Sequence, residues 1–317
     1  MARVSVIIPV FNGAATVGRA IASALAQTCD GGLEVIAVND GSTDTTAEVL
    51  AGFGDRLRVI DQDNRGPAAA RNAGALAAHG EYLAFLDADD EWLDGMIAAT
   101  VPILDANPAV VLVFCDALAV DAAGYPAGET YVPPDCAHAP SMAELLERWW
   151  PIIPSTTVMR RAAFAACGGF AEEFRSAAYE DPYLFLLARE QGEFAYVPHA
   201  LVRYRQQSPG TRMEKYLRSR EVFIRRVSER YGERARGLIR GTQRAYASAL
   251  GYEGLVAMRA GDRRAARRYF ARAIRERPLE LKNALRLLRT FLPAALARAL
   301  SGRTGRAPAA SAWHAGP

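Results

Sequence analysis

Over roughly the first hundred residues, short apolar runs alternate with longer stretches of helical period, and this alternation constrains the fold more than any other feature. Strand-like runs fall at residues 4–11, 33–39, 57–61, 82–87 and 110–115. Between them, residues 14–27, 43–51, 67–78 and 93–106 carry the helical period, with Asp, Thr or Pro near several starts as capping chemistry predicts. Such βα units build an α/β fold around a doubly wound, mostly parallel sheet. Ligands of these sheets sit beyond the carboxyl ends of the strands, so the residues that follow each strand weigh most. Three of those ends are polar: Asn39-Asp40-Gly41-Ser42, Asp63-Asn64-Arg65-Gly66-Pro67 and Asp87-Ala88-Asp89-Asp90. All are expected to open onto one crevice.

From 120 to 155 the pattern loosens, and Gly124, Pro126, Gly128, Pro133 and Pro134 mark a surface excursion. Order returns with a strand over 155–159, helices over 161–166 and 182–190, and two strands over 194–197 and 201–205. Beyond Gly210 the chain reads as a C-terminal helical extension. There Leu250, Gly254, Ala257, Ala266, Phe270, Ala273 and Pro278 stand where a tetratricopeptide repeat places its small, bulky and terminating residues. A lone hairpin of this kind cannot bury both faces, so it is expected to pack on neighbouring helices rather than form a peptide-binding array. Residues 281–300 mix Leu and Phe with Arg286, Arg289 and Arg298 and are interrupted by Pro293. They read as a solvated packing helix, with a membrane surface as the alternative. The expected division is 1–209, 210–300 and an unstructured tail at 301–317.

With 317 residues, 50% of them hydrophobic and 23% charged, the chain can form one large or two modest cores, and disorder is excluded as its main character. It is expected to be soluble: the apolar run at 4–11 is too short to span a bilayer and holds Pro9, so neither a transmembrane helix nor a signal peptide is expected. Cys29, Cys115, Cys136 and Cys167 lack zinc or disulfide spacing and fit a reducing cytoplasm. Charge is uneven along the chain. Residues 1–199 carry 11 Lys or Arg against 27 Asp or Glu, whereas residues 200–317 carry 27 against 8. A basic tail of this kind suits nucleic acid, an anionic membrane or the acidic half of the same chain.

Asp87 and Asp89 flank one small residue at a strand end, where alternate residues share a face. Their oxygens are the hard ligands that Mg²⁺ or Mn²⁺ prefers, usually alongside substrate phosphates. The ordinary reading of Asp89 or Asp90 is a cap on the next helix. Asp40 could accept an imide N–H from a base such as uracil, with Gly41 letting the backbone come close; taken alone, turn chemistry explains it as well. Gly66-Pro67 opens an alanine-rich helix whose free N–H groups suit a phosphate or ribose, with Arg71 one turn in. A plain proline-started helix accounts for that too.

Taken in order, Val4–Asn12, Val38-Asn39-Asp40-Gly41-Ser42-Thr43-Asp44, Asn64-Arg65-Gly66-Pro67-Ala68-Ala69-Ala70-Arg71-Asn72 and Gly80 to Asp90 resemble the family 2 glycosyltransferases of the GT-A fold. The resemblance covers about 3–205 and makes 1–209 the glycosyltransferase domain. It implies transfer of a sugar, usually with inversion and a divalent metal (Mn²⁺ or Mg²⁺), from a nucleotide-diphosphate sugar, UDP-linked by preference, to a hydroxyl of a glycan or lipid-linked glycan. By position it implies that Asp40 binds the base, Asp87 touches the ribose, Asp89 is the metal ligand, Pro9 and Phe11 line the nucleotide pocket, and Arg71 belongs to the donor pocket. Cys167-Gly168-Gly169-Phe170 followed by Tyr179-Glu180-Asp181 matches the family's acidic pair, with Glu180 in the substrate site and Asp181 as the general base. An inverting transfer needs one carboxylate opposite the leaving group to take the acceptor's proton. Without the resemblance, Asp181 before Pro182 reads as an N-cap.

Two positions depart from the family pattern. Asn39 replaces a frequent first aspartate, and glutamine stands in Tyr204-Arg205-Gln206-Gln207-Ser208 where a histidine is common, with His199 nearby as a weaker substitute. Three other readings compete with this one. A dehydrogenase lacks its Gly-x-Gly-x-x-Gly after the first strand. A nucleic-acid binder lacks interleaved aromatics among the tail arginines, so no nucleic-acid partner is expected. The remaining alternative is a catalytically idle nucleotide-sugar-binding scaffold acting through its helical tail. The expected location is cytoplasmic, with peripheral contact at the inner face of the cell membrane suggested by the basic tail.

Overall fold

The computed structural model describes residues 2–121, 124–174, 179–205, 213–278 and 281–291. The chain forms two compact units: Met1–Leu145, Trp150–Ser208 and Glu214–Arg230 make the first, and Leu146–Trp149, Pro209–Met213 and Tyr231–Pro317 the second.

The described strands of the first unit are β1 (Val4–Val10), β2 (Leu33–Asp40), β3 (Arg58–Gln62), β4 (Tyr82–Phe85), β5 (Glu91–Trp92), β6 (Val110–Val120), β7 (Pro126–Thr130), β8 (Thr157–Arg160) and β9 (Glu193–Arg205). They form one sheet in the order β3-β2-β1-β4-β8-β6-β9-β5, with β7 on β6. β3, β2, β1 and β4 are parallel, so their carboxyl ends share one edge. β8 enters antiparallel to β4 and β6, β9 runs parallel to β6, and β5 and β7 close antiparallel pairs. The sheet is therefore mixed, its parallel character concentrated in the half built by the first βα units. Helices α1 (Val17–Leu25), α2 (Thr46–Ala51), α3 (Pro67–Ala77), α4 (Met96–Ala106), α5 (Met142–Glu147), α6 (Arg161–Ala166), α7 (Glu180–Gln191) and α8 (Met213–Tyr231) follow in chain order.

β1 is buried along its whole length, as its run of Val and Ile requires. Pro9 inside a central strand has a local reason. Arg3 and Ile7 carbonyls accept from Tyr82 and Leu86 N–H, so the odd residues of β1 face β4, and β4 ends at Phe85. The missing N–H of Pro9 therefore falls where no ladder partner remains. The two strands expected at 194–197 and 201–205 are one, β9, with Pro198 and His199 in a bulge between the partners of Cys115 and Asp116. α4 starts three residues later than its period suggests, behind Gly95 in the left-handed region, because Glu91 and Trp92 pair with β9 instead.

The boundary expected at 209 lies in front of α8, most of which packs into the first unit. There Arg225 and Arg226 pair with Glu173, and Arg230 with Glu190. Part of the basic half thus meets the acidic half of the same chain.

In the second unit, α9 (Arg236–Arg259), α10 (Arg263–Glu276) and α11 (Leu281–Arg289) follow one another. A Cβ on Gly254 would stand 2.5 Å from the Phe270 ring, so that glycine lets α9 and α10 approach. Ala257, Ala266 and Phe270 form the buried cluster of the hairpin, and the Asp262 carboxylate accepts from Ala265 N–H to cap α10. Of the stretch expected to be helical over 281–300, α11 occupies the first part; residues 292–300 and the tail at 301–317 lie outside the described residues, as do Gln206, Gln207 and Ser208.

Candidate functional site

Arg71, one turn into α3 and 4% exposed, is the centre of the carboxyl edge. Its Nη2 donates to Asp87 Oδ1 at 2.6 Å; its Nη1 reaches Glu180 Oε1 at 3.3 Å and Asp181 Oδ1 at 3.4 Å. The Phe170 ring lies under the guanidinium, 5.1 Å from ring centroid to Cζ, and rests in turn on Phe85 and Phe164. Three acids from distant parts of the sequence thus share one buried cation. Three carboxylates around one guanidinium leave negative charge in excess, and such a cluster holds protons more tightly than free acids do. Burial, then the Glu180 carboxylate, with a further push from Asp87, raises Asp181 well above the usual carboxylate range, against the pull of Arg71. Burial raises Glu180 as well. Two buried atoms of the cluster, Arg71 Nε and Glu180 Oε2, have no hydrogen-bond partner.

Asp181 is not a helix cap. α7 begins at Glu180, behind Tyr179, which takes a positive φ of 73°; the Asp181 carboxylate turns toward Arg71 instead. A bulky residue in that region is strained, and here it sits directly in front of the acidic pair.

Asp87 and Asp89 do not share a strand face either. β4 stops at Phe85, and Asp90 N–H closes a turn onto the Asp87 carbonyl at 3.0 Å, so the two side chains leave a turn rather than a pleat. Asp87 goes to Arg71. Asp89 is partly buried, and its carbonyl accepts from Arg205 Nε at 3.1 Å. Asp90 does not cap α4: it is buried, accepting from Ser155 Oγ at 2.5 Å and Arg205 N–H at 2.8 Å. Burial and the neighbouring Asp87 and Asp89 raise its carboxyl well above the usual range. Among the described residues no three His, Cys, Asp or Glu side chains gather as a metal cluster.

Asp40, at the end of β2 and buried, accepts from Gln62 Nε2 at 2.7 Å, Arg65 N–H at 2.9 Å and Gly66 N–H at 2.8 Å. Three donors hold the loop that launches α3, and a carboxylate with about four acceptor positions keeps room for one more. Gly41 is needed for that loop: its φ is +73°, and a Cβ there would lie 2.8 Å from Asn64 N, so the close approach is made by the chain's own backbone. Asn39 donates to Asp61 at 2.8 Å and accepts from Ser42 N–H at 3.2 Å, a double role that a carboxylate beside Asp61 could not fill.

Phe11 follows β1 and is 52% exposed, while Pro9 is buried in the strand. The Asn12 side chain accepts from Thr43 N–H at 2.7 Å and Ser42 Oγ takes the Asn12 N–H at 3.0 Å, stitching the Phe11 loop to the Asp40 turn. Thus Pro9, Phe11, Asp40, Arg71, Asp87, Glu180 and Asp181 belong to one unit, with Asp87, Glu180 and Asp181 joined directly through Arg71. His199 is exposed on the β9 bulge.

Sequence reasoning missed three contributors. Asn72 bonds both ways with Phe170, from its side-chain amide to the carbonyl and from the Phe170 N–H to its oxygen, each at 2.9 Å. That contact seats the Gly168-Gly169-Phe170 segment, and a Cβ on Gly169 would strike Asn72 Oδ1 at 2.6 Å. Gln62 and Ser155 carry no motif; Asn72 stood beside Arg71 in one.

The family model for glycosyl transferase family 2 matches residues 5–168, so Glu180 and Asp181 lie beyond the match and their place rests on geometry. An uncharacterized glycosyltransferase of Rickettsia prowazekii, RP339, is 39% identical over 113 residues, which is 35% of this chain and 35% of that protein. A second, alr2836 of Nostoc sp., is 40% identical over 112 residues, 34% of each. The matched stretch thus spans about a third of these relatives. Among solved structures, S. aureus TarS superposes with a TM-score of 0.59 at 20% identity, over 94% of this chain and 53% of that one. TarS 1–349 in complex with UDP-GlcNAc gives 0.55 at 18% identity, over 91% and 90%. At that identity the likeness is one of fold, and it is the GT-A architecture described above. The family match, which takes in just over half of the residues, places this chain in glycosyl transferase family 2.

Proposed function

We propose that this protein is an inverting glycosyltransferase that moves a hexosyl or N-acetylhexosaminyl group from a UDP-linked donor to a hydroxyl of a glycan or lipid-linked glycan. The observation that carries this reading is the convergence of Asp87, Glu180 and Asp181 on Arg71 at the carboxyl edge of the sheet. In that reading the exposed Phe11 ring stacks on the base, Pro9 shapes the floor beside it, and Asp40 accepts the imide N–H with its remaining acceptor position. Asp87 meets the ribose, and the buried Glu180 belongs to the substrate site through its pairing with Arg71.

The acceptor oxygen forms its bond to the anomeric carbon as the bond to the nucleotide diphosphate breaks. The hydroxyl proton passes to Asp181, and the leaving electron pair stays on the diphosphate. A carboxylate raised above its usual range is a stronger base, which suits that step. Asp89 is the side chain we assign to hold Mn²⁺ or Mg²⁺; since no three His, Cys, Asp or Glu among the described residues are arranged to hold a metal ion, the other ligands would be donor phosphates and water, the habitual mode for Mg²⁺. Such an ion would supply charge neutralisation at the departing diphosphate.

No described helix is long and apolar enough to cross a membrane. We place the protein in the cytoplasm, touching the inner face of the membrane peripherally through α11, where Leu281, Leu285 and Leu288 are exposed beside Lys282, Arg286 and Arg289.

The deciding experiment is a thermal-shift and turnover screen with UDP, UDP-sugars and Mn²⁺. UDP with Mn²⁺ should raise the melting temperature, UDP should be released from at least one UDP-sugar, and Asp89→Asn should abolish that release while leaving the fold intact. A parent protein that neither binds UDP nor releases it from any donor would sink the reading and favour the idle scaffold.

A further inference from the structure

Ser155 and Asp90 lie under the Asp87–Asp90 turn, are 0% and 1% exposed, and have no role in the transfer described above. Ser155 Oγ works in two directions: it donates to Asp90 Oδ2 at 2.5 Å and accepts from Asp87 N–H at 3.0 Å. One hydroxyl therefore holds both ends of the turn that presents Asp87 and Asp89. The hydroxyl is itself fixed, since the Ser155 carbonyl accepts from Trp92 Nε1 at 2.7 Å. The second oxygen of Asp90 accepts from Arg205 N–H at 2.8 Å, at the last residue of β9. The Arg205 side chain returns to the turn, its Nε donating to the Asp89 carbonyl at 3.1 Å, while its Nη1 reaches the Asp121 carbonyl beyond β6 at 3.3 Å.

A buried carboxyl is costly to desolvate unless it is bonded, and an apolar residue would fill the space at less cost. Here its two oxygens bridge two separate chain segments, the 155 turn and the end of β9. We propose that Ser155 and Asp90 are positioning residues for the transfer: they set the Asp87–Asp89 turn and lock it to the end of β9, so that the diphosphate side of the donor site and the last residue of β9 are placed as one piece. Neither residue touches substrate. This inference rests on the glycosyltransferase reading, because it presumes that Asp87 and Asp89 face the donor.

Replacing Asp90 by Ala leaves Ser155 Oγ and Arg205 N–H without their acceptor and frees the turn. Asp90→Asn keeps an acceptor for Arg205 and an amide group that can pair with Ser155. The expected result is a kcat for release of UDP from the best UDP-sugar that falls about 100-fold in Asp90→Ala, the scale of an ångström-sized misplacement, and recovers to within about tenfold of the parent in Asp90→Asn. UDP affinity without metal, governed by the base end of the site, should stay within about threefold, and the Mn²⁺ concentration for half-maximal activity should rise. Ser155→Ala should reproduce the loss, and it serves as the test if Asp90→Ala does not fold. A folded Asp90→Ala or Ser155→Ala protein with parental kcat and parental Mn²⁺ dependence overturns the positioning role while leaving the glycosyltransferase reading intact. Equal losses in Asp90→Ala and Asp90→Asn also overturn it. A parent without UDP binding or release removes both.

Discussion

At the carboxyl edge of the first unit polar side chains hold one another, whereas in the helical unit small side chains make room for large ones. Arg71 gathers three acids, Asp40 takes three donors from one loop, and Asp90 bridges a turn to a strand end. Around α9 and α10 the decisive contact is an absence: Gly254 leaves the space that Phe270 fills. The first arrangement is directional, so a single atom removed leaves charged partners stranded. The second is steric, so it answers to volume and tolerates changes of polarity at its surface. A site for charged substrates calls for the first kind of order, and a helical extension can be built from the second.

The comparison is broken most sharply at Asp181. Asp181→Asn should lower transfer about 1,000-fold with UDP affinity unchanged, as loss of a general base does; since it removes one of three acids crowding Arg71, the variant should melt no lower than the parent. A collapse of donor affinity instead would take Asp181 out of the base role. Arg71→Ala should cost about 3–5 kcal/mol in urea unfolding, because it leaves buried carboxylates unpaired. A loss below about 1 kcal/mol would show that the acids do not depend on it. In the other unit, Gly254→Val should cost about 1–3 kcal/mol by overpacking against Phe270, and UDP release should be unchanged; loss of UDP release would tie the two units together.

A finer test uses pH. The base must be ionised to work, and Asp181 is raised, so kcat/KM should fall on the acid side through an apparent pKa above the value of about 4 for a free aspartate. The groups that face it are Arg71 from α3, Asp87 after β4 and Glu180 beside it. Glu180→Gln removes a like charge, lowers Asp181 and should move the acid limb to lower pH; an upward move would contradict the repulsion between the two acids. The smallest effect on stability is expected at α11, where Leu285→Ser with Leu288→Ser should alter unfolding by less than about 0.5 kcal/mol per site yet remove sedimentation with anionic vesicles. Equal sedimentation of parent and variant would end the membrane reading.

Legibility differed between the parts for a physical reason. Period and turn chemistry are local, so the βα units of the first hundred residues, the Gly254 and Phe270 positions and the polar strand ends could be read along the chain. Hydrogen-bond partners are not local. Spacing makes Asp87 read as leaving a pleat beside Asp89, and without the family resemblance the proline after Asp181 makes that acid read as a helix cap rather than the base. The fold turns one acid out of a tight turn and the other toward Arg71 instead. Gln62 and Ser155 gave no signal, since a glutamine or serine says nothing of a partner tens of residues away.

The sequence by itself determined where strands and helices alternate, which strand ends are polar, and the ordered motifs that mark the family, because each depends on neighbours within a few residues. Tertiary structure alone decided that Arg71 would join Asp87 to Glu180 and Asp181, that Gly41 would yield to Asn64, and that Asp90 would face Ser155 and Arg205. Those outcomes follow from sheet order and loop path, which bring together groups that desolvation then compels to pair.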